Sequence, residues 1–302
     1  MDPLKNDFKS GFAALIGRTN VGKSTLLNRM VGKKVTIVSD KPQTTRNKIL
    51  SVLTADGYQV IFLDTPGFHK PKHRLGEHLV QVALKTLQEV DIVLFLVEAD
   101  QLPGPGDLFI INKLKEIKTP VLLVINKVDL IRREEILPMI EQYSKLYNFA
   151  EVVPVSALTG DNVALLLELI TGYLPAGPQY YPEDMITDRP ETFIMAELIR
   201  EKVLELTSQE IPHSVAVVIE ELNERPNGVV DVRALIYTER ESQKGILIGK
   251  GGSMLKKIGQ SAREEMENLL GSKIYLELWV KVKADWRNRE GQLHNFGYRQ
   301  EE

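Results

Sequence analysis

Residues 17–24 read G-R-T-N-V-G-K-S, an unbroken match to the pattern G-x-x-x-x-G-K-S/T. The chemistry this spacing suits is phosphate binding. Gly17 and Gly22 let the backbone turn successive N–H groups inward, through Arg18, Thr19, Asn20 and Val21. Those donors, with the N-terminus of a following helix, hold phosphate oxygens. Lys23 reaches the β- and γ-phosphates, and the Ser24 hydroxyl suits a Mg²⁺ ligand. Short motifs recur by chance, so the setting matters. The apolar run GFAALIG (11–17) leads straight in, and TLLNRMVG follows, ending on Gly32. That is the strand–loop–helix context the motif requires.

Three more stretches carry compatible chemistry. LDTPG (63–67) closes an apolar run. Asp64 is expected to hold Mg²⁺ through water, and the Gly67 N–H to meet a γ-phosphate, with Thr65, Pro66 and Phe68 flanking. The polar stretch 38–48 contains Thr44 and Thr45, either of which could join the Mg²⁺ shell; Thr45 is preferred. INKVD (125–129) ends another apolar run. The Asp129 carboxylate can accept from the N1–H and 2-amino groups of guanine, which adenine does not offer, while Lys127 can lie along the base and Asn126 and Val128 complete the turn. VSAL (155–158) brings Ser156 and Ala157, whose backbone N–H suits the guanine O6. Phe68 occupies the place where many GTP-hydrolysing proteins carry a water-orienting glutamine. A phenyl ring cannot do that, so intrinsic hydrolysis is expected to be slow.

The elements behind these residues read as a mostly parallel sheet. YQVIFLD (58–64), DIVLFLV (91–97), VLLVIN (121–126) and EVVPVSA (151–157) are near-continuous apolar strands separated by helical patterns. Asp56-Gly57 between two β-like runs predicts one hairpin and one antiparallel edge. Four prolines in YLPAGPQYYPEDMITDRP (173–190) predict an extended linker rather than a packed element. Beyond it the pattern is helix, two strands, two helices, strand. Two domains are therefore expected, 1–172 and 191–302, the second a small α+β unit.

The 302 residues are 26% charged and 43% hydrophobic, with net charge −3. No whole-molecule field attracts nucleic acid, so such a site must be a local patch. There is no cysteine, which excludes disulfides and thiolate metal sites and fits a reducing cytosol. His69 and His73 have a metal-like spacing but sit beside Pro66, Gly67 and Pro71, which argues against a helical metal face. No leader peptide and no apolar run of spanning length is read. A cytoplasmic protein is expected, with peripheral contact at the inner face of the membrane left open.

The second region has its own motif. LIGKGGSMLKKIG sets Gly249 and Gly252 at G-x-x-G spacing, around Lys250 and Gly251. Residues 242–263 hold Lys244, Lys250, Lys256, Lys257 and Arg263 with no Asp or Glu. Such a loop lets a single-stranded sugar–phosphate backbone approach closely while lysines neutralise it. Ile246, Ile248 and Leu255 are candidates for an apolar floor under splayed bases. Met254, Leu255, Ile258, Ala262, Met266, Leu269 and Leu270 repeat at helical spacing, and for most of them a core role is expected. The closing KADWRNREGQLHNFGY mixes Arg, Trp and Tyr and is a weaker candidate to extend that surface.

GRTNVGKST, QTTR, DTPGF, NKVD and VSA, in this order, resemble the translation-factor-like small GTPases. IGKGG, PEDMITD and LELWVKVK narrow the resemblance to the Era family, across nearly the whole chain. One departure is Thr19, where such loops usually carry proline. The resemblance implies a P-loop GTPase domain followed by a prokaryotic-type (type II) KH domain. It implies GTP hydrolysis, with Lys23, Asn20, Thr45 and Gly67 nearest the chemistry and Ser24, Thr45 and Asp64 around Mg²⁺. It also implies a monovalent cation, K⁺, with Asn20 as its loop ligand. The partner implied is single-stranded rRNA at the 3′ end of 16S rRNA, in assembly of the 30S subunit. The alternative is an RNA-binding chaperone that uses GTP mainly as a structural ligand.

Overall fold

The computed structural model describes residues 8–41, 44–68, 74–208 and 211–298. His69 and His73 lie outside these residues. The chain divides into two units.

The first unit is a six-stranded sheet in the order β2-β3-β1-β4-β5-β6. Its elements are β1 (Lys9–Gly17), α1 (Lys23–Val31), β2 (Ile49–Ala55), β3 (Tyr58–Asp64), α2 (Arg74–Thr86), β4 (Ile92–Glu98), α3 (Pro105–Leu114), β5 (Val121–Asn126), α4 (Ile136–Ser144), β6 (Glu151–Pro154) and α5 (Val163–Tyr173). β2 runs antiparallel to β3, joined by the expected hairpin; the other neighbours are parallel. β4 and β5 are buried along their full length, as strands covered on both faces must be. Alternate residues feed two cores. Leu15, Leu94 and Val124 face one, with Leu26 and Leu166 of the helices. Ile16, Phe95 and Ile125 face the other, with Ile111 and Tyr143. The expected strand at 151–157 is shorter, ending at Pro154.

The stretch expected as a linker is extended but bonded. Ser10 N–H donates to Pro175 O (3.1 Å), the Tyr180 and Tyr181 amides to Gln59 Oε1 (2.9 and 3.0 Å), and Val52 N–H to Ile186 O (2.8 Å). Residues up to Asp188 accordingly cluster with the first unit. Prolines forbid a regular element, but the open edge of β2 still offers donors to an extended chain.

The second unit contains α6 (Glu191–Leu206), a short α7 (Ile211–Ser214), β7 (Ala216–Glu224), β8 (Val230–Thr238), α8 (Glu241–Ile248), α9 (Ser253–Leu270), β9 (Ile274–Val282) and α10 (Glu290–Asn295). Its sheet order is β7-β8-β9, antiparallel then parallel. The parallel β8–β9 pair requires a crossover, which α8 and α9 provide. Ile258, Ala262 and Met266 of α9 pack with Leu198 and Ile199 of α6, Met254, Leu255 and Leu270 lie partly buried against them, and Leu269 is exposed. Ile37–Thr44 and the first two residues of α2, Arg74 and Leu75, also belong to this unit. Ile37 is in its core, and Val38 N–H donates to Glu201 Oε1 at 2.7 Å.

Candidate functional site

The carboxyl ends of β1, β3, β4 and β5 lie side by side, the edge where open α/β sheets bind ligands. Gly17 ends β1, and α1 begins at Lys23. The six residues from Gly17 to Gly22 therefore turn directly onto a helix N-terminus. Lys23 is buried, its Nζ donating to Arg18 O (2.9 Å) and lying 3.4 Å from Gly17 O. Burial lowers its pKa to about 8, and the nearby Asp64 carboxylate opposes that shift. It thus stays mostly cationic at neutral pH.

Beside it three oxygens converge. Ser24 Oγ lies 3.0 Å from Thr45 Oγ1 and donates to Asp64 Oδ2 at 3.0 Å; Thr45 Oγ1 reaches the same oxygen at 3.3 Å. Thr44 points elsewhere, donating to Lys41 O at 2.6 Å. Asp64 Oδ1 is buried without a hydrogen-bond partner. Burial raises the Asp64 pKa to about 6, against the opposing pull of Lys23 and the two hydroxyls. A cluster of hard oxygens with one orphaned carboxylate atom is a donor set that suits Mg²⁺.

The chain after β3 runs along the phosphate loop. Thr65 donates its hydroxyl to Leu15 O (2.8 Å), and Phe68 N–H donates to Gly17 O (3.0 Å). A Cβ on Gly67 would sit 2.8 Å from Thr19 Cα, so the two segments touch. The Phe68 ring turns away from the loop into the core with Ile16 and Phe95, 6.1 Å from the Phe109 ring. It stands in the sequence place of a water-orienting glutamine but does not face that space.

The turn after β5 is tied to the phosphate loop. Asn126 Nδ2 donates to Val21 O (2.8 Å), and its Oδ1 accepts from Ala157 N–H (2.9 Å). Asp129 Oδ1 accepts from Ser156 Oγ (2.5 Å), and Val128 N–H donates to Val155 O (3.2 Å). The three sequence stretches thus form one surface. Sequence reasoning missed four contributors. Arg29 of α1 donates to the carbonyls of Ala157 and Leu158. Glu98 bonds Lys127. Asp107 pairs with Arg18 at 3.0 Å. Asn28 Oδ1 accepts from the Val35 and Thr36 amides at 2.9 and 3.0 Å. Glu98 follows an apolar run in the sequence, but nothing in the sequence names its partner, and the other three carried no signal.

In the second unit, Gly249–Gly252 joins α8 to α9. Lys250, Gly251, Lys256 and Lys257 are exposed, and Lys244, Ile248 and Gly252 half-buried. Ile248 and Leu255 pack partly against the core, while Ile246 is 50% exposed. The closing segment packs. Trp286 is buried, donates Nε1–H to Ser214 O (2.8 Å) and stacks on Tyr298. Its ring is not available to a base. No helix among the described residues is long and apolar enough to cross a membrane.

The family model described as a 50S ribosome-binding GTPase matches residues 12–127, and that of the KH domain matches residues 210–287. The GTPase Era of Heliobacterium modesticaldum is 60% identical over 96% of this chain and 97% of its own. A solved structure of an Aquifex aeolicus Era variant bound to GDP and AlF4⁻ aligns at TM-score 0.94 and 43% identity, over 97% of this chain and 100% of its own. A structure of Era in complex with MgGDPNP and nucleotides 1506–1542 of 16S ribosomal RNA aligns at TM-score 0.94 and 44% identity, with the same coverage. Identity at this level through both units, with nothing of substance left over in either chain, makes this protein a member of the GTPase Era family.

Proposed function

We propose that the chain is a GTP-driven switch whose KH unit binds the single-stranded 3′ end of 16S rRNA during assembly of the 30S subunit in the cytoplasm. The observation carrying this reading is that one chain ties the 126–129 turn to the 17–24 loop and, in its other unit, exposes a lysine-rich G-x-x-G loop. The 16S rRNA bound by the Era relative favours the small subunit.

In the first unit, the amides of 17–22 and Lys23 would cradle the β- and γ-phosphates, and Gly67 N–H the γ-phosphate. Asp129 would read guanine through two donors, and O6 would share the Ala157 N–H that Asn126 Oδ1 accepts here. Ser24, Thr45 and Asp64 would hold Mg²⁺, which when bound neutralises charge on the phosphates. With Phe68 in the core, water is oriented by backbone groups or a partner. Asn20 would add a K⁺ ligand; turnover faster in KCl than in NaCl, with the preference altered by Asn20→Asp, is the expected result, and equal rates in both salts would remove the cation.

The RNA reading is tested by titrating the full chain, loaded with a non-hydrolysable GTP analogue, with an oligonucleotide of the 16S 3′ end and with a scrambled one. Preference for the first is expected, and Lys256→Ala with Lys257→Ala should flatten the slope of log K against log salt by roughly 0.7 per lysine. Equal affinity for both oligonucleotides would refute sequence-selective binding.

A further inference from the structure

An anion site has an odd neighbour: a carboxylate. Glu98 closes β4, directly beside Asn126 of β5 in the sheet, and its side chain is only 10% exposed. One oxygen accepts from Lys127 Nζ. The other lies 3.9 Å from Arg18 Nη2 of the phosphate loop. Arg18 is held in turn by Asp107, which is fully buried, at 3.0 Å and by Gln101 Oε1 at 3.0 Å. Asp107 is itself fixed, accepting Gly104 N–H at 2.9 Å at the start of α3.

Lys127 needs such an anchor. Its backbone is left-handed, at φ 67° and ψ 35°, a conformation that an ordinary side chain keeps only when its surroundings impose it. A long, flexible ammonium side chain also loses considerable rotamer freedom on being ordered. A nearly buried carboxylate opposes both, through a charge-assisted bond. It would weaken phosphate binding if left unpaired, but here two cations share its charge.

We infer that Glu98 is a positioning residue for guanine recognition: it fixes the Lys127 stem for the base and joins that turn to Arg18 of the phosphate loop. The inference rests on the guanine reading of Asn126 and Asp129. Glu98→Gln keeps the shape and removes the charge. GTP and GDP affinity should both fall about 10- to 100-fold, the worth of a hydrogen bond between charged groups. The loss should appear in KM with kcat nearly unchanged, because base contacts are the same in ground and transition states.

Three further measurements on the full chain separate this role from a merely structural one. Inorganic tripolyphosphate, which has no base, should bind Glu98→Gln at least as well as it binds the natural chain, because a carboxylate near the anion is gone; an equal loss for both ligands would mean damage to the phosphate loop and overturn the inference. Lys127→Ala should cost much less in the Glu98→Gln background than alone, whereas additive losses would show that the two do not act together. Glu98→Asp should recover part of the affinity. The guanine reading itself is checked separately: Asp129→Asn should move preference from GTP towards xanthosine triphosphate, and failure there would sink that reading whatever Glu98 does.

Discussion

At the scale of single residues, what a side chain faces matters more than where it falls in a motif. Phe68 occupies a glutamine's place in the sequence, yet only 4% of it is exposed and its ring packs with Ile16, Phe95 and Phe109. Phe68→Gln therefore should not accelerate hydrolysis. It should put an amide into an apolar cluster and leave a void, costing roughly 3–5 kcal/mol, as losses of a buried phenyl group do. Thermal melting and single-turnover hydrolysis check this together; a faster chemical step at unchanged melting temperature would mean the side chain turns to the phosphates. Consecutive residues such as 17–24 or 126–129 were legible in the sequence, because a phosphate loop or a guanine turn is built from neighbours along the chain. The direction of Phe68 was not, since the residue after a flexible glycine can face either side. Nor were Glu98 and Asp107, whose partners Lys127 and Arg18 are brought near only by the order of strands in the sheet.

At the scale of elements, near-continuous apolar runs identified the buried strands, helical spacing identified α9, and Gly249-x-x-Gly252 identified the joint between α8 and α9. Two segments escaped because their partners are distant. The proline-rich 173–188 has no period, and its bonds go to the first unit's sheet. Trp286 sits in a basic stretch that suggested a nucleic-acid surface, but the carbonyl of Ser214 claims its indole N–H. The α8–α9 joint is held by two different glycine demands. Gly249 has φ 72°, and a Cβ there would meet Met254 N and Cβ at 2.8 Å; Gly252 has φ 81° with open space around it. Gly252 is left-handed, where alanine carries roughly 1–2 kcal/mol of strain, whereas Gly249 has ψ 174°, a region essentially only glycine adopts, so Gly249→Ala carries more backbone strain and the clash besides. RNA affinity should fall in both variants, and further in Gly249→Ala, while GTP turnover without RNA stays at its natural rate. Equal losses in the two would show that the backbone at Gly249 and its contact with Met254 both relax at no cost.

At the scale of the whole molecule, one peptide bond separates two allegiances. Thr45 shares its hydroxyl with Ser24 and Asp64, where Mg²⁺ would sit, whereas Ile37–Thr44 belongs to the second unit. That stretch is held there by Ile37 in the core, by Val38 N–H on Glu201, and by Arg200, whose guanidinium donates to Thr44 O while gripping Glu197 with two nitrogens (2.5 and 2.7 Å). If the nucleotide changes the hold on Thr45, the adjoining stretch would pass that preference on through Thr44. Arg200 is the residue to test, because a planar fork serves Glu197 and Thr44 at once and an ammonium does not. Arg200→Lys keeps the buried charge beside Glu197 and gives up the bond to Thr44. If this segment transmits the state of the site, RNA affinity in the natural chain should differ between GTP-analogue and GDP forms by a factor in the usual range of about 5- to 150-fold. In Arg200→Lys that ratio should shrink towards one, with nucleotide affinity in the absence of RNA little changed. A ratio that survives the substitution intact would mean that the coupling, if present, runs by another route.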